Sequence, residues 1–236
     1  MEVILVTGAN RGIGLALTRV LLASENVVIA GCRRPDESGE LKQLGFLNPE
    51  TLDVTKCDLD REKELEEAAE ASRKRRNKLD VIVNNAGIMP EAGNESILGI
   101  DLDMFWRAFN TNVLGAARVI RAFYPVLAQS ERPRIVNVSS GLASVSRREG
   151  HDYYAYSASK AALNMLTRTI ANELAPKGVT TIAISPGWVR TEMGGANAAI
   201  SPEESAQSLA ETIRKIGPEV NGEFLDRNGR KGAYFW

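Results

Sequence analysis

The sequence predicts an α/β fold: a doubly wound, seven-stranded, mostly parallel sheet with helices on both faces. Three observations carry this expectation. Short apolar runs alternate with longer segments of helical period, as strands and crossover helices do in a parallel sheet. A glycine-rich turn, Thr7-Gly8-Ala9-Asn10-Arg11-Gly12-Ile13-Gly14, joins the first apolar run to the first helical segment. The 236 residues suffice for one large domain with a buried core, and no repeat, low-complexity tract or linker divides them. One domain over residues 1–236 is therefore expected.

The elements follow in order. Val3–Val6 is the first strand, rich in β-branched residues. Gly12 to about Ser24 is a helix, with Ile13, Leu17, Val20 and Leu21 on one face. Val27–Gly31 is the second strand. A polar stretch from Pro35 to Pro49 has room for a short helix near Glu40–Leu44, and a third strand should end near Val54–Leu59. Glu62–Arg75 is a charged helix whose stripe is Leu65, Ala68 and Ala69. Its basic end, Arg73-Lys74-Arg75-Arg76, suits a helix C-terminus better than a nucleic-acid patch. Leu79–Val83 is the fourth strand. One long helix is expected from Asp103 to about Ala128, with Pro125 shortening or kinking its last turn. Arg134–Val138 is the fifth strand, Tyr153 to about Ala175 a second long helix, and Val179–Ser185 the sixth strand. Pro202–Ile216 is a late helix, and Glu223–Leu225 the seventh strand.

Composition narrows the function. A net charge of −1, with 25% charged and 44% hydrophobic residues, gives no electrostatic footprint for nucleic acid or an anionic membrane. No apolar stretch is long enough to span a bilayer, and the N-terminus lacks the pattern of a secretory signal, so a cytoplasmic location is expected. Cys32 and Cys57 have no metal-ligand spacing and read as reduced thiols; no metal site is expected.

The turn from Gly8 to Gly14 points to a nucleotide. Glycines let the backbone approach a pyrophosphate, and the following helix N-terminus offers unpaired N–H groups and a favourable dipole. The spacing Gly-x-x-x-Gly-x-Gly differs from the Gly-x-Gly-x-x-Gly fingerprint but occupies the same strand-to-helix junction of a Rossmann fold. At the end of the second strand, NAD binding favours an acid and a 2′-phosphate favours arginine. Cys32-Arg33-Arg34 stands there, with no acid before Asp36, and Arg11 flanks the same place. NADP(H) is the preferred cofactor on this reading, with NAD(H) the alternative.

Three further segments fall where open α/β sheets bind ligands, at the C-terminal ends of strands. They are Asn84-Asn85-Ala86-Gly87, Ser139-Ser140, and the helix carrying Tyr156-Ser157-Ala158-Ser159-Lys160. Residues four apart share a helix face, so Tyr156 and Lys160 can point into one crevice. Reducing a carbonyl by hydride transfer requires a proton for the developing alkoxide. A tyrosine can give it, and a neighbouring ammonium would bring the phenol toward working pH. A serine donor, Ser140 or the adjacent Ser139, can hold the substrate oxygen beside the phenol.

These motifs, in this order, resemble the short-chain dehydrogenase/reductase family over essentially the whole chain. Pro186-Gly187-Trp188-Val189-Arg190-Thr191-Glu192-Met193-Gly194-Gly195, with Asn228-Gly229 and the terminal Trp236, is similar to its Sniffer-like carbonyl reductases and C-factor-like proteins. The resemblance implies a catalytic tetrad of Asn112, Ser140, Tyr156 and Lys160, with Asn112 in a proton relay ending at Lys160. It aligns Ser140 rather than Ser139 with the family's serine. It implies cofactor contacts from Gly8, Asn10, Arg11, Gly12, Ile13, Gly14, Arg33, Asp58, Leu59, Asn84, Ala86, Gly87, Tyr156, Lys160, Pro186, Gly187, Val189 and Thr191. Asp58 would meet the adenine, with Asp53 a competing alignment, and Thr191 the nicotinamide carboxamide. Tyr156 follows Ser140 by 16 residues, which implies extra loop around Arg147–Asp152.

Leu142, His151, Tyr153, Trp188 and Met193 are candidates for the substrate pocket, although core packing explains apolar residues equally well. The apolar tail Ala233-Tyr234-Phe235-Trp236 reads as packing on its own domain or at a subunit interface, compatible with a homodimer or homotetramer. The short stretch Gly194–Ser201 predicts an open, tolerant site for small carbonyls or alcohols. Two rivals stand beside this reading. One is a dinucleotide-binding sensor of the C-factor type, for which Tyr156 would be superfluous. The other is a Ser140 hydrolase, which lacks a Ser–His–acid pattern.

Overall fold

The computed structural model describes residues 1–234 and 236. Seven parallel strands lie in the order β3-β2-β1-β4-β5-β6-β7. They are β1 (Val3–Thr7), β2 (Val27–Cys32), β3 (Leu52–Lys56), β4 (Val81–Asn84), β5 (Arg134–Val138), β6 (Thr180–Ile184) and β7 (Phe224–Leu225). The sheet is wholly parallel, where a mostly parallel one was expected.

Alternation along the strands sends successive side chains to opposite faces. Ile4, Val6, Val81, Val83, Ile182 and Ile184 meet Leu17 and Leu21 of α1 (Gly12–Ala23), Leu41 of α2 (Gly39–Leu47) and Leu209 and Ile213 of α7 (Pro202–Lys215). Val3, Leu5, Ile29, Ile82 and Ile135 meet Leu65 of α3 (Glu62–Arg76), Val119 and Phe123 of α5 (Ala116–Leu127) and Leu174 of α6 (Tyr154–Leu174). Both faces of every central strand are thereby buried, which is why those strands read as nearly continuous apolar runs.

One expectation is met and another needs correction. The third strand, Leu52–Lys56, ends within the expected Val54–Leu59 stretch, and Cys57, Asp58 and Leu59 lie beyond its C-terminal end. Asp53 is inside the strand, where the Arg76 guanidinium grips it with bonds of 2.6 and 2.8 Å and Arg75 adds a second ion pair at 2.8 Å. Its carboxylate is occupied by α3, so it is no rival to Asp58. The long helix expected from Asp103, however, is not continuous. It runs as α4 (Asp103–Phe109), passes through a π-helical turn over Asn110–Gly115, and resumes as α5. Such turns are inserted in helices mostly at functional sites, and this one carries Asn112. Pro125 sits in the last turn of α5, which ends at Leu127, so shortening rather than kinking is its effect.

The chain leaves β1, builds outward to β3, and returns to place β4 against the other side of β1. This reversal sets a crevice at the C-terminal ends of β1 and β4, the position where doubly wound sheets bind ligands. Every segment singled out for chemistry opens from that edge.

Candidate active site

The glycine turn is fixed by contacts that only glycine permits. Gly8 has φ +67°, and a side-chain carbon on it would lie 2.9 Å from the Ala86 Cα. A carbon on Gly14 would lie 2.2 Å from the Gly8 carbonyl oxygen and 2.5 Å from the Asn85 amide. Thr7 and Asn85 lock the turn to the β4 loop. The Asn85 side chain donates to the Thr7 carbonyl at 2.8 Å, and Thr7 Oγ1 accepts from the backbone N–H groups of Asn85 and Ala86, both at 3.1 Å. Helix α1 then begins at Gly12 with no side-chain cap and no acid in its first turn, leaving its N-terminal field open to an anion. A bare, glycine-lined helix N-terminus of this kind fits a dinucleotide pyrophosphate.

Around the turn, Asn10 and Ile13 are half-buried, and Arg11 is paired with Glu192. Arg33 is exposed at the end of β2 and makes no ion pair among the described residues, whereas Arg34 is held by Glu37 at 3.1 Å. Asp58 is half-buried and Leu59 buried, both past β3 on the crevice side. Ala86 and Gly87 line the β4 loop, but the Asn84 side chain turns away, donating to Asn137 at 2.8 Å within the sheet. Only the Asn84 backbone is left to face a ligand.

The region after β6 closes the crevice. Gly187 has φ +86°, and the Pro186 carbonyl is held by Ser205 of α7 at 2.8 Å. Val189 is buried and forms an isolated parallel bridge with Ile200. Thr191 accepts from the Gly194 N–H at 3.1 Å, and its methyl group lies against Gly12. Trp188 is 59% exposed and Met193 39% exposed, and the Trp188 indole donates to the Gly194 carbonyl at 2.9 Å.

The Tyr156–Lys160 pair is buried on α6, with the Lys160 ammonium 5.8 Å from the centre of the Tyr156 ring. Lys160 Nζ donates to the Val138 carbonyl at 2.8 Å. Ser140 caps a short 3₁₀ turn through Leu142 N–H and is hydrogen-bonded to the Tyr156 side chain. Ser139 instead sits under the helix, directed at the Lys160 carbonyl at 3.5 Å. The structure therefore brings Ser140, not Ser139, to the phenol. Asn112 lies alongside. Its side chain receives the Ile88 N–H at 2.8 Å and donates to the Ile88 carbonyl and to Ser159 Oγ, both at 2.9 Å.

The electrostatics differ from the expectation that Lys160 would draw the phenol down. Burial pushes Tyr156 above its ordinary value, the Ser140 hydrogen bond works against this, and the Glu91 charge raises it further. Burial alone pulls Lys160 down to about 8. Removal from water is the largest influence on both groups.

Of the substrate candidates, Leu142 is half-buried next to Ser140, and Tyr153 is the N-terminal cap of α6, its ring against Gly93. His151 is exposed in the segment between Ser144 and Tyr153. The tail returns to its own sheet. Tyr234 stacks on Phe224 at 5.2 Å and lies over Gly141, while Trp236 meets the same phenylalanine at 5.8 Å; Phe235 lies outside the described residues. No group of three or more His, Cys, Asp or Glu side chains is arranged to hold a metal among the described residues, and no described helix is long and apolar enough to cross a membrane.

Sequence reasoning missed Thr7, Asn85 and Glu91 as parts of the site. Asn85 was visible in its motif as the neighbour of Asn84, while Glu91 had no local signal.

Comparison with known proteins places this arrangement. Residues 2–201 match the short chain dehydrogenase family. The carbonyl reductase Sniffer of Drosophila melanogaster superimposes with a TM-score of 0.94 at 28% identity, covering 100% of both chains. An NADPH-bound carbonyl reductase from chicken fatty liver gives a TM-score of 0.91 at 30% identity, over 99% of this chain and 100% of that one. The C-signal protein of Myxococcus xanthus is 38% identical over 152 residues, 64% of this chain and 90% of that one.

Proposed function

Because the chain belongs to the short-chain dehydrogenase family, and so is an oxidoreductase, we propose that it is an NADP(H)-preferring carbonyl reductase of broad specificity, with Tyr156 as its proton donor. The observation that carries this reading is the convergence of Ser140, Tyr156 and Lys160 beside the β4 loop.

Reduction of a carbonyl adds a hydride to carbon and a proton to oxygen, giving the alcohol. When bound, a reduced nicotinamide supplies the hydride. Ser140 holds the carbonyl oxygen beside the phenol, and the Tyr156 O–H gives up its proton as charge grows there. A raised phenol is protonated throughout the neutral range and hence always ready to donate. Lys160, pulled down to about 8, exchanges a proton readily near neutral pH and restores the phenol, with Asn112 in the relay behind it.

The cofactor would be held by Gly8, Asn10, Gly12, Ile13 and Gly14 at its pyrophosphate, with Arg11 beside Arg33 toward the 2′-phosphate. Asp58, Leu59, Ala86, Gly87 and the Asn84 backbone would take the adenosine side. Pro186, Gly187, Val189 and Thr191, with Tyr156 and Lys160, would take the nicotinamide side. Arg33, which makes no ion pair among the described residues, supports the 2′-phosphate preference, as does the NADPH bound to the chicken carbonyl reductase; NAD(H) enters as the weaker cofactor. Exposed Trp188 and Met193 support an open site for aldehydes and ketones. On this reading residues 1–236 act as one dinucleotide-binding and catalytic domain.

The test is a panel of aldehydes and ketones followed by loss of NADPH absorbance. Turnover of several members is expected, and NADPH oxidation by none would contradict the reading. The similarity to C-signal favours a second reading, a dinucleotide-binding signalling protein in which turnover is secondary. Full cellular function in a Tyr156→Phe strain would select that reading.

A further inference from the structure

Helix α6 has an unusual start. Its N-cap, Tyr153, adopts φ +54°, an uncommon backbone state for a bulky side chain, and makes no side-chain cap hydrogen bond. No acid occupies the first turn. The first-turn N–H groups of Ala155 and Tyr156 would be buried without partners were it not for Glu91, 64 residues earlier, whose Oε1 accepts from both; the Tyr156 bond is 3.0 Å. Glu91 is 5% exposed, and its Oε2 has no hydrogen-bond partner among the described residues. A carboxylate has been taken out of water here with half its bonding capacity unused, a cost that capping alone does not require, since a neutral acceptor satisfies an amide.

Glu91 is also the last of three clamps on one loop. Thr7 holds Asn85 and Ala86, Asn112 holds both backbone groups of Ile88, and Glu91 ties the loop to the tyrosine's own backbone. The β4 loop, the π-helical turn and the start of α6 are thereby one connected unit.

We propose that Glu91 is a positioning residue for the reductive step, fixing the first turn of α6 against the β4 loop and setting the field in which the Tyr156 phenol parts with its proton. This rests on the carbonyl reductase reading. A negative charge behind the phenol opposes phenolate formation and offsets the helix N-terminus, which would favour it. The phenol, the form that donates, persists to higher pH, and carbonyl reduction is favoured over alcohol oxidation. The other groups facing Tyr156 are Lys160 on α6, directed at Val138, and uncharged Ser140 after β5. In the segment leading into α6, Arg148 and Asp152 are paired with each other at 3.0 Å. Glu91 is the carboxylate whose charge acts on the phenol.

The experiment is the alkaline titration of the Tyr156 phenol, read as the absorbance difference between each protein and its Tyr156→Phe counterpart, with kcat for NADPH-dependent reduction measured beside it, in wild type, Glu91→Gln and Glu91→Asp. The amide keeps an acceptor for the two N–H groups but loses the charge. Its alkaline limb moves down by about one pH unit, the scale of a unit charge acting through a partly shielded interior. Glu91→Asp, which keeps the charge on a shorter stem, restores the wild-type limb even where turnover falls. Coincident limbs in wild type and Glu91→Gln overturn the assignment, as does a lowered limb in Glu91→Asp equal to that of the amide. Should Glu91→Gln not fold, the aspartate variant decides alone: a limb about one pH unit below that of wild type overturns the assignment. A wild type that reduces no carbonyl overturns both this inference and the reading beneath it, whereas active enzymes with coincident limbs overturn this inference alone.

Discussion

Gly14→Ala is the substitution whose cost can be worked most directly from the geometry. The added carbon would lie 2.2 Å from the Gly8 carbonyl oxygen and 2.9 Å from the Gly8 carbonyl carbon. Those are backbone atoms of the turn, so the turn itself must move by about an ångström to reach ordinary contact distance. Overpacking of this kind costs about 1–3 kcal/mol, and a clash with backbone belongs at the upper end. In a chain of this size that lowers Tm by about 6–12 °C. The second effect falls on the cofactor, because the displaced turn no longer aims its N–H groups. In wild type, NADPH at about 100 times its Kd should add about 2.7 kcal/mol, or roughly 5–10 °C. In Gly14→Ala that increment should largely vanish. Thermal melts with and without NADPH measure both quantities. Gly99→Ala is the control, since nothing lies within 4 Å of its added carbon, and it should stay within about 0.5 kcal/mol of wild type. A Gly14→Ala protein with the wild-type Tm and the full NADPH increment would refute the cradle.

Two further outcomes are expected. Arg33→Ala should weaken NADPH about 10–100-fold, the worth of a charge-assisted hydrogen bond, and leave NADH nearly unchanged; equal losses for both in binding titrations would remove Arg33 from the 2′-phosphate. For Lys160, burial holds the free protein's ammonium down to about 8, so the charged form that binds cofactor prevails below that pH and is lost above it. NADPH affinity should therefore be flat at lower pH and fall as pH rises through about 8. In Lys160→Met it should be weaker and independent of pH across that range, and a wild-type affinity constant to pH 10 would contradict the role.

Much of this was legible in the sequence because it is local. The strands announce themselves as β-branched runs, since both faces of each central strand are buried. The Tyr156–Lys160 relationship follows from four-residue spacing on one helix, and the glycine turn from its place after β1. Only the end of the third strand was legible, because Leu52–Lys56 lies at the sheet edge and mixes polar with apolar residues. The π-helical turn at Asn110–Gly115 left no trace, because its residues suit an ordinary helix and the insertion depends on packing. Glu91 was invisible for a related reason, as its two amide partners lie 64 and 65 residues away. The state of Tyr156 was misjudged because spacing reveals the lysine but not the depth of burial, and burial is the larger influence.

The measurement that bears most directly on the proposed chemistry is single-turnover carbonyl reduction by Tyr156→Phe alongside NADPH titration of the same protein. The phenylalanine keeps the ring packed on α6 and removes only the hydroxyl. The hydride-transfer rate should fall by about 10²–10⁴, the usual worth of a positioned general acid, while the NADPH Kd stays within about twofold. Reduction at near wild-type rate without that hydroxyl would contradict the assignment of Tyr156 as proton donor.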